Sequence, residues 1–151
     1  MKKILSIAVF LPALCLAENL VKDGAMDSST AWKGDRKFEE IEGNRVLSIE
    51  AKDNRVVAVS QELNTRDLSD LNYQFRYRSE NYKGRGLQFR GTRSDGSSTY
   101  RTIEVKSDGQ WHEYSSTFTA VRGSKDVTFA FELLEGEGTV QIDDVVIEPK
   151  S

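Results

Sequence analysis

The sequence predicts an all-β domain, a sandwich or a barrel, and three observations carry that prediction. Tyr73, Phe75 and Tyr77 alternate with Gln74, Arg76 and Arg78, and Leu87, Phe89 and Gly91 alternate with Gln88, Arg90 and Thr92. Strict alternation of this kind marks antiparallel strands that pack on one side only. About eight or nine strand-like runs follow one another at short spacing with turn signals between them, as in sandwiches and barrels. No run shows the apolar period of an amphipathic helix.

Lys2 and Lys3 precede an apolar run from Ile4 to Leu16 broken only by Ser6 and Pro12, and Cys15-Leu16-Ala17 resembles a small-residue cleavage site. That is the pattern of a secretory signal peptide, cut here after Ala17. The run is too short for a comfortable membrane span. A lipoprotein signal is disfavoured because Leu14, not a small residue, precedes the cysteine. Residues 1–17 are therefore expected to be removed, leaving 18–151 as one domain, periplasmic or secreted. Cys15 is the only cysteine and leaves with the leader, which excludes disulfides and thiolate metal sites from the exported domain. Loss of Lys2 and Lys3 takes the formal charge of −3 two units lower. A chain this acidic has no overall attraction for nucleic acid or an anionic membrane, and neither is expected as a partner.

The domain opens with Asn19-Leu20-Val21, a turn at Asp23-Gly24, and a polar loop, Ser28-Ser29-Thr30, up to Trp32. From there to Gly43 the chain is highly charged and reads as irregular. Arg45 to Ala51 and the valine-rich Arg55 to Leu63 read as strands joined by an Asp53-Asn54 turn, and Asp67 to Leu71 as one helical turn. After the two alternating runs, Ser94 to Ser98 turn into a strand from Tyr100 to Val105, and Ser107-Asp108-Gly109 turn into another from Trp111 to Thr119. Val127, Phe129, Phe131 and Leu133 make the next strand, and Glu135 to Gly138 a tight loop. In the closing strand Val140 and Ile142 lead into Asp143-Asp144, after which Val145 and Ile147 resume the apolar pattern. A polar pair inside an alternating strand suggests a bulge. Neighbouring aspartates are poor strand formers, so a bound cation, a turn or backbone hydrogen bonds must compensate. Trp111, Tyr73, Phe75, Phe89, Tyr114, Phe129 and Phe131 are expected in the core.

Four short motifs in order resemble the carbohydrate-binding modules of families four, nine and twenty-two, the cellulose-, xylan- and β-glucan-binding jelly rolls of galactose-binding-domain-like fold. They are Asn19-Leu20-Val21 with Asp23-Gly24 and Met26-Asp27; the run Tyr73 to Arg78; Gly109-Gln110-Trp111 with Tyr114 and Phe118; and Ile142-Asp143-Asp144-Val145. Met26 and Asp27 stand where the family has Phe and Glu, and Asp23 where it has Asn. The resemblance implies a jelly-roll β-sandwich of two antiparallel sheets with first and last strands adjacent. It also implies a structural calcium (Ca2+) where those strands meet, with Asp27 and Asp143 as carboxylate ligands and carbonyls near Asp23 and Gly24 adding oxygens. Calcium takes six to eight oxygen ligands in irregular geometry. The alternative is that Asp143 caps backbone amides at a bulge without a metal.

Sugars present apolar CH faces and rings of hydroxyls, which aromatic rings and polar side chains match. Trp32, Tyr82 and Tyr100 lie in or beside polar loops and are the candidate stacking rings, although the family uses a tryptophan near Trp32 to close the core. Gln74, Arg76 and Arg78 share one strand face, as do Gln88 and Arg90. If the two strands are neighbours, these residues form one patch with Arg101 near it. Such faces also carry arginines merely for ion pairs. Guanidinium forks favour carboxylate and sulfate groups, so a binding patch of this kind suits an acidic or sulfated polysaccharide.

A catalytic role finds little support. His112 is the only histidine and has no evident partner, no Gly-x-Ser-x-Gly elbow is present, and Gly84-Arg85-Gly86 precedes no helix. Glu104, Glu113, Glu132 and Asp144 belong to no hydrolase motif. The leading expectation is a secreted, non-catalytic carbohydrate-binding module, not an enzyme, with a polysaccharide as ligand and a separately secreted glycoside hydrolase as companion. The rival is a structural or protein-binding β-sandwich without a sugar site.

Overall fold

The computed structural model describes residues 19–28, 30–65, 70–118 and 126–150. Twelve strands follow in chain order: β1 Lys33–Gly34, β2 Lys37–Ile41, β3 Asn44–Glu50, β4 Val57–Asn64, β5 Leu71–Arg78, β6 Lys83–Gly84, β7 Leu87–Arg93, β8 Ser98–Ile103, β9 His112–Phe118, β10 Asp126–Leu133, β11 Gly136–Glu137 and β12 Thr139–Pro149. They form two antiparallel five-stranded sheets, ordered β1-β4-β10-β7-β8 and β2-β3-β12-β5-β9, with β6 and β11 as a separate short pair. The described residues contain no helix.

The alternating residues decide which way each strand faces. Leu71, Tyr73, Phe75 and Tyr77 of β5 turn inward, and Leu87 and Phe89 of β7 meet them from the other sheet with Phe129 and Phe131 of β10. Tyr73 stacks on Phe89 with ring centroids 4.2 Å apart, and Phe75 meets Phe131 edge-on at 4.9 Å. Rings in these arrangements stabilise beyond the area they bury. Gly91 of β7 is where the ring of Phe118 crosses, and a side chain there would collide with it. The Asp53-Asn54 turn and the strands around it appear as expected. The charged stretch after Trp32 is not irregular, because β1 pairs with β4 and β2 with β3. The loop before the closing strand likewise holds β11. Of the rings assigned to the core, Trp111 is the exception: it is half-buried and lies under the guanidinium of Arg76, 4.6 Å from ring centroid to Cζ. The helical turn expected at 67–71 falls mostly outside the described residues; Leu71 itself begins β5.

β12 lies at the centre of its sheet and carries the expected bulge. Its partners on β5 run from Asp143 opposite Arg76 to Val146 opposite Gln74, so three steps on β12 span two on β5. Asp144 takes up the surplus at φ 50°, a left-handed conformation that aspartate tolerates better than most residues. Consequently Ile142, Val145 and Ile147 all face the core although their spacing is uneven. The opening segment holds the bulge in place. Leu20 N–H donates to the Ile147 carbonyl at 2.7 Å, and Ile147 N–H donates to Asn19 Oδ1 at 3.0 Å. Val145 N–H donates to the Gly24 carbonyl at 2.9 Å, and Asn19 Nδ2 donates to the Val145 carbonyl at 3.1 Å. Gly24 is required there, because a Cβ would strike the Val145 carbonyl. First and last segments therefore lie side by side.

Candidate functional site

The two polar rows expected to form one patch are separated. β5 and β7 belong to different sheets, and Gln74, Arg76 and Arg78 face outward on one side of the sandwich while Gln88 and Arg90 face outward on the other. A common Gln/Arg patch does not exist. Alternation gives inside and outside for each strand, but two outward rows meet only when their strands share a sheet.

On the β7 side one ring is open. Tyr100 of β8 lies opposite Arg90 and is 58% exposed, while Arg101 next to it points to the other side of the strand. The Arg90 guanidinium carbon stands 5.4 Å from the Tyr100 ring centroid. Arg90 Nε donates to Glu132 Oε2 at 3.0 Å and Nη1 to Ser98 Oγ at 3.3 Å. Gln88 Nε2 donates to the same Glu132 oxygen at 2.5 Å, and Thr102 Oγ1 donates to Gln88 Oε1 at 3.1 Å. The result is a connected polar floor beside an open aromatic ring. Its charges are matched internally, and each member is fixed by its neighbour. Glu132, Thr102 and Ser98 were not singled out as sugar contacts from sequence. Their outward parity was readable, but the register that sets them around Gln88 and Arg90 was not.

The other two candidate rings are structural. Trp32 is 1% exposed, its Nε1 donates to the Asp23 carbonyl at 3.2 Å, and it packs on Phe131. Tyr82 is 5% exposed, and its hydroxyl accepts from Gly86 N–H at 2.9 Å and meets the carbonyls of Gly86 and Leu134 at 3.1 and 3.2 Å. Burial raises the Tyr82 phenol above its ordinary pKa. Neither ring presents a face to a ligand. Both sit in polar loops because they anchor those loops to the backbone.

On the β5 side the arginines are already paired. Arg76 Nη2 donates to Asp143 Oδ2 at 2.6 Å, and its Nε lies 2.9 Å from Asp144 Oδ2. The hydrogen bond to Asp143 outweighs partial burial and raises the Arg76 pKa. Arg78 donates to the Gly109 carbonyl at 2.7 Å and to Glu80 at 2.6 Å. His112 Nε2 is 2.9 Å from Asp108 Oδ1, and that contact lowers the Asp108 pKa.

The residues do not fit a calcium held by Asp27 and Asp143. Asp143 is 1% exposed, and its Oδ2 takes hydrogen bonds from Arg76 and from Asn44 Nδ2, each at 2.6 Å. Its Oδ1, like Oδ2 of Asp23, is buried without a hydrogen-bond partner among the described residues. The carbonyl of Asp23 accepts from Met26 N–H and Trp32 Nε1, and that of Gly24 from Val145 N–H. Asp27 is exposed, and among the described residues no three His, Cys, Asp or Glu side chains converge as a metal site. Two unpartnered buried carboxylate oxygens, one each on Asp23 and Asp143, fall far short of six to eight, and the Arg76 guanidinium supplies the positive charge that a cation would.

Two antiparallel sheets face to face with a bulged central closing strand define a jelly-roll β-sandwich. No protein-family model matches the sequence, and no curated protein matches it. Solved structures do share the fold. A family 4 carbohydrate-binding module superposes with a TM-score of 0.64 at 16% identity, covering 86% of this chain and 99% of that one. The CBM22-1 xylan-binding domain of Paenibacillus barcinonensis Xyn10C gives 0.57 at 13% identity, with 89% and 92% covered. The enzymatically active domain of bacteriophage CBA120 tailspike protein 4 gives 0.65 at 10% identity over 87% of this chain, which spans only 21% of that larger one. The fold is thus that of the carbohydrate-binding modules, families 4 and 22 among them.

Proposed function

We propose that the protein is a non-catalytic carbohydrate-binding module that lays a polysaccharide across the outer face of β10, β7 and β8, with Tyr100 as its stacking ring. The observation that carries the reading is Tyr100 itself, a large exposed aromatic beside a fixed set of hydrogen-bonding groups, on a fold that the modules above use. A ring under a sugar's CH face, flanked by Arg90, Gln88, Glu132 and Thr102 for its hydroxyls, is an apolar contact with a few placed polar groups. The guanidinium groups that suggested an acidic or sulfated glycan are each matched by a carboxylate, Arg76 by Asp143, Arg78 by Glu80 and Arg90 by Glu132. A neutral polysaccharide suits that balanced floor better. The leader-like residues 1–17 support action outside the cytoplasm, and a separately secreted glycoside hydrolase is the natural companion.

Affinity gel electrophoresis against neutral glucans, xylans and galactans, with polyuronates and sulfated glycans run in parallel, tests the reading. Retention by a neutral polysaccharide is expected, and Tyr100→Ala should weaken it about ten-fold or more, as truncating a central aromatic contact does. Because Tyr100 is largely exposed, its removal should shift stability by no more than about 0.5 kcal/mol. Retention only by charged glycans would replace the neutral ligand. No retention by any glycan would favour the protein-binding sandwich, for which the ion-paired Arg90–Glu132 floor is the supporting observation.

A further inference from the structure

A sizeable cavity lies away from Tyr100. It is a groove of about 680 Å³ on the opposite face of the sandwich, lined by Gly24, Gln74, Arg76, Glu113, Ser115 and Asp144 among others. That volume lies within the usual range of small-ligand clefts. A second hollow of about 290 Å³ shares Gln74, Ser115 and Val146 and continues toward Asn72 and Thr117. Together they form a trough along β5, which rises roughly 3.3 Å per residue, so Asn72 and Arg76 lie about 13 Å apart.

The trough is shaped by the irregular part of the fold. The bulge in β12 turns the Asp144 carboxylate outward beside Arg76, and the ties from Asn19 and Gly24 hold that wall in place. Bulges often re-aim a side chain in this way beside functional sites. Gln74 lies directly opposite Ser115, and Arg76 opposite Glu113. Polar groups therefore face one another across the trough at the spacing of cross-strand pairs, roughly 5 Å.

The charges narrow the ligand class. Asp143, Asp144 and Glu113 surround the single guanidinium of Arg76, so the trough repels anions. An incoming cation would be drawn to the place between those carboxylates and over the Trp111 ring, but Arg76 already fills it at 4.6 Å. A neutral ligand rich in hydroxyls remains, with carboxylates as acceptors and the Gln74 amide and Arg76 as donors. We propose that this trough is a second saccharide-binding surface, back to back with the Tyr100 face, so that one molecule holds two polysaccharide chains. The inference rests on the sugar-binding reading given above.

The probe is the neutral polysaccharide that retains the wild-type protein, together with its oligosaccharides in calorimetry. Ser115→Trp fills the trough from the exposed edge strand β9, and Gln74→Ala removes a donor with little risk to folding. The expected result is two sites per molecule. Tyr100→Ala should leave residual retention, Ser115→Trp should reduce the stoichiometry to one, and the double variant should lose retention. Gln74→Ala should weaken the residual binding of Tyr100→Ala several-fold. If Tyr100→Ala alone abolishes binding while Ser115→Trp and Gln74→Ala leave stoichiometry and affinity unchanged, the second surface is overturned and the Tyr100 site stands. If Ser115→Trp abolishes binding and Tyr100→Ala does not alter it, the trough is the sugar site and the Tyr100 reading falls. Absence of glycan binding by the wild type overturns both.

Discussion

Replacing Arg76 with alanine should show what holds the centre of the β12 sheet. The substitution leaves Asp143 almost wholly buried, its charge opposed only by the Asn44 amide. Removing one member of a buried ion pair costs about 3–5 kcal/mol. Arg76 is itself 31% exposed, so solvent screening brings the figure toward the lower end. Loss of the contact with Trp111 returns about 0.5–1 kcal/mol to it. The net destabilisation is about 3 kcal/mol, which for a domain of this size lowers the melting temperature by roughly 10 °C. Calorimetry or circular dichroism measures it directly. The dependence on pH has a definite sign. Arg76 is a cation whose pKa is raised in the fold, so its contribution is complete at every pH below the unfolded value and lost only as pH rises through the folded one. The deficit of the variant should therefore not come from Arg76 titrating between about pH 6 and 8. Adding Asp143→Asn to Arg76→Ala should restore part of the loss, because the stranded charge is gone. A drop under about 2 °C for Arg76→Ala, or a double variant no more stable than the single, would refute the argument that this guanidinium compensates the buried aspartate.

Other outcomes follow from the same contacts. Tyr82→Phe should cost about 1–3 kcal/mol in a denaturant melt, since Gly86 N–H loses its acceptor inside the protein, while retention on polysaccharide stays unchanged. Burial raises the Tyr73 phenol to about 12. The unfolded chain releases that proton first, so stability should fall by about 2–3 kcal/mol as pH rises from about 10 to 12; a Tyr73→Phe variant that loses as much stability over the same range would contradict it. Chelation with EDTA should leave the melting temperature unchanged, and a drop reversed by calcium would show that oxygens beyond those described here assemble a site.

Much of the sandwich was legible because its interior is written in large alternating residues. Tyr73, Phe75 and Tyr77 on β5 and Phe129, Phe131 and Leu133 on β10 announce their parity, and Asp143-Asp144 announces the bulge. The short strands β1 and β2 were not legible, since Lys33, Gly34, Lys37 and Glu40 are exposed and give no apolar period. The site was harder still. Trp32 and Tyr82 occur in polar surroundings, which suggested exposure, but each is drawn inward by hydrogen bonds to backbone carbonyls or amides that local pattern does not reveal. Tyr100 follows a similar turn and stays outside because it lies on the outward side of an edge strand. Which sheet receives β5 and which receives β7 depends on long-range pairing with β12 and β10, so two outward arginine rows looked like neighbours when they are back to back.

The surplus residue in β12 has an unusual corollary for sequence change. Losing one position from a central strand ordinarily inverts every side chain beyond the gap, sending core residues to water and charges into the interior. Here the frame is already offset by one. Excising Asp144 would put Ile142, Val145 and Ile147 into simple two-residue rhythm with the same residues still facing inward. Length variation at this spot is thus compatible with the hydrophobic order of the sheet, and what it deletes is one wall of the trough.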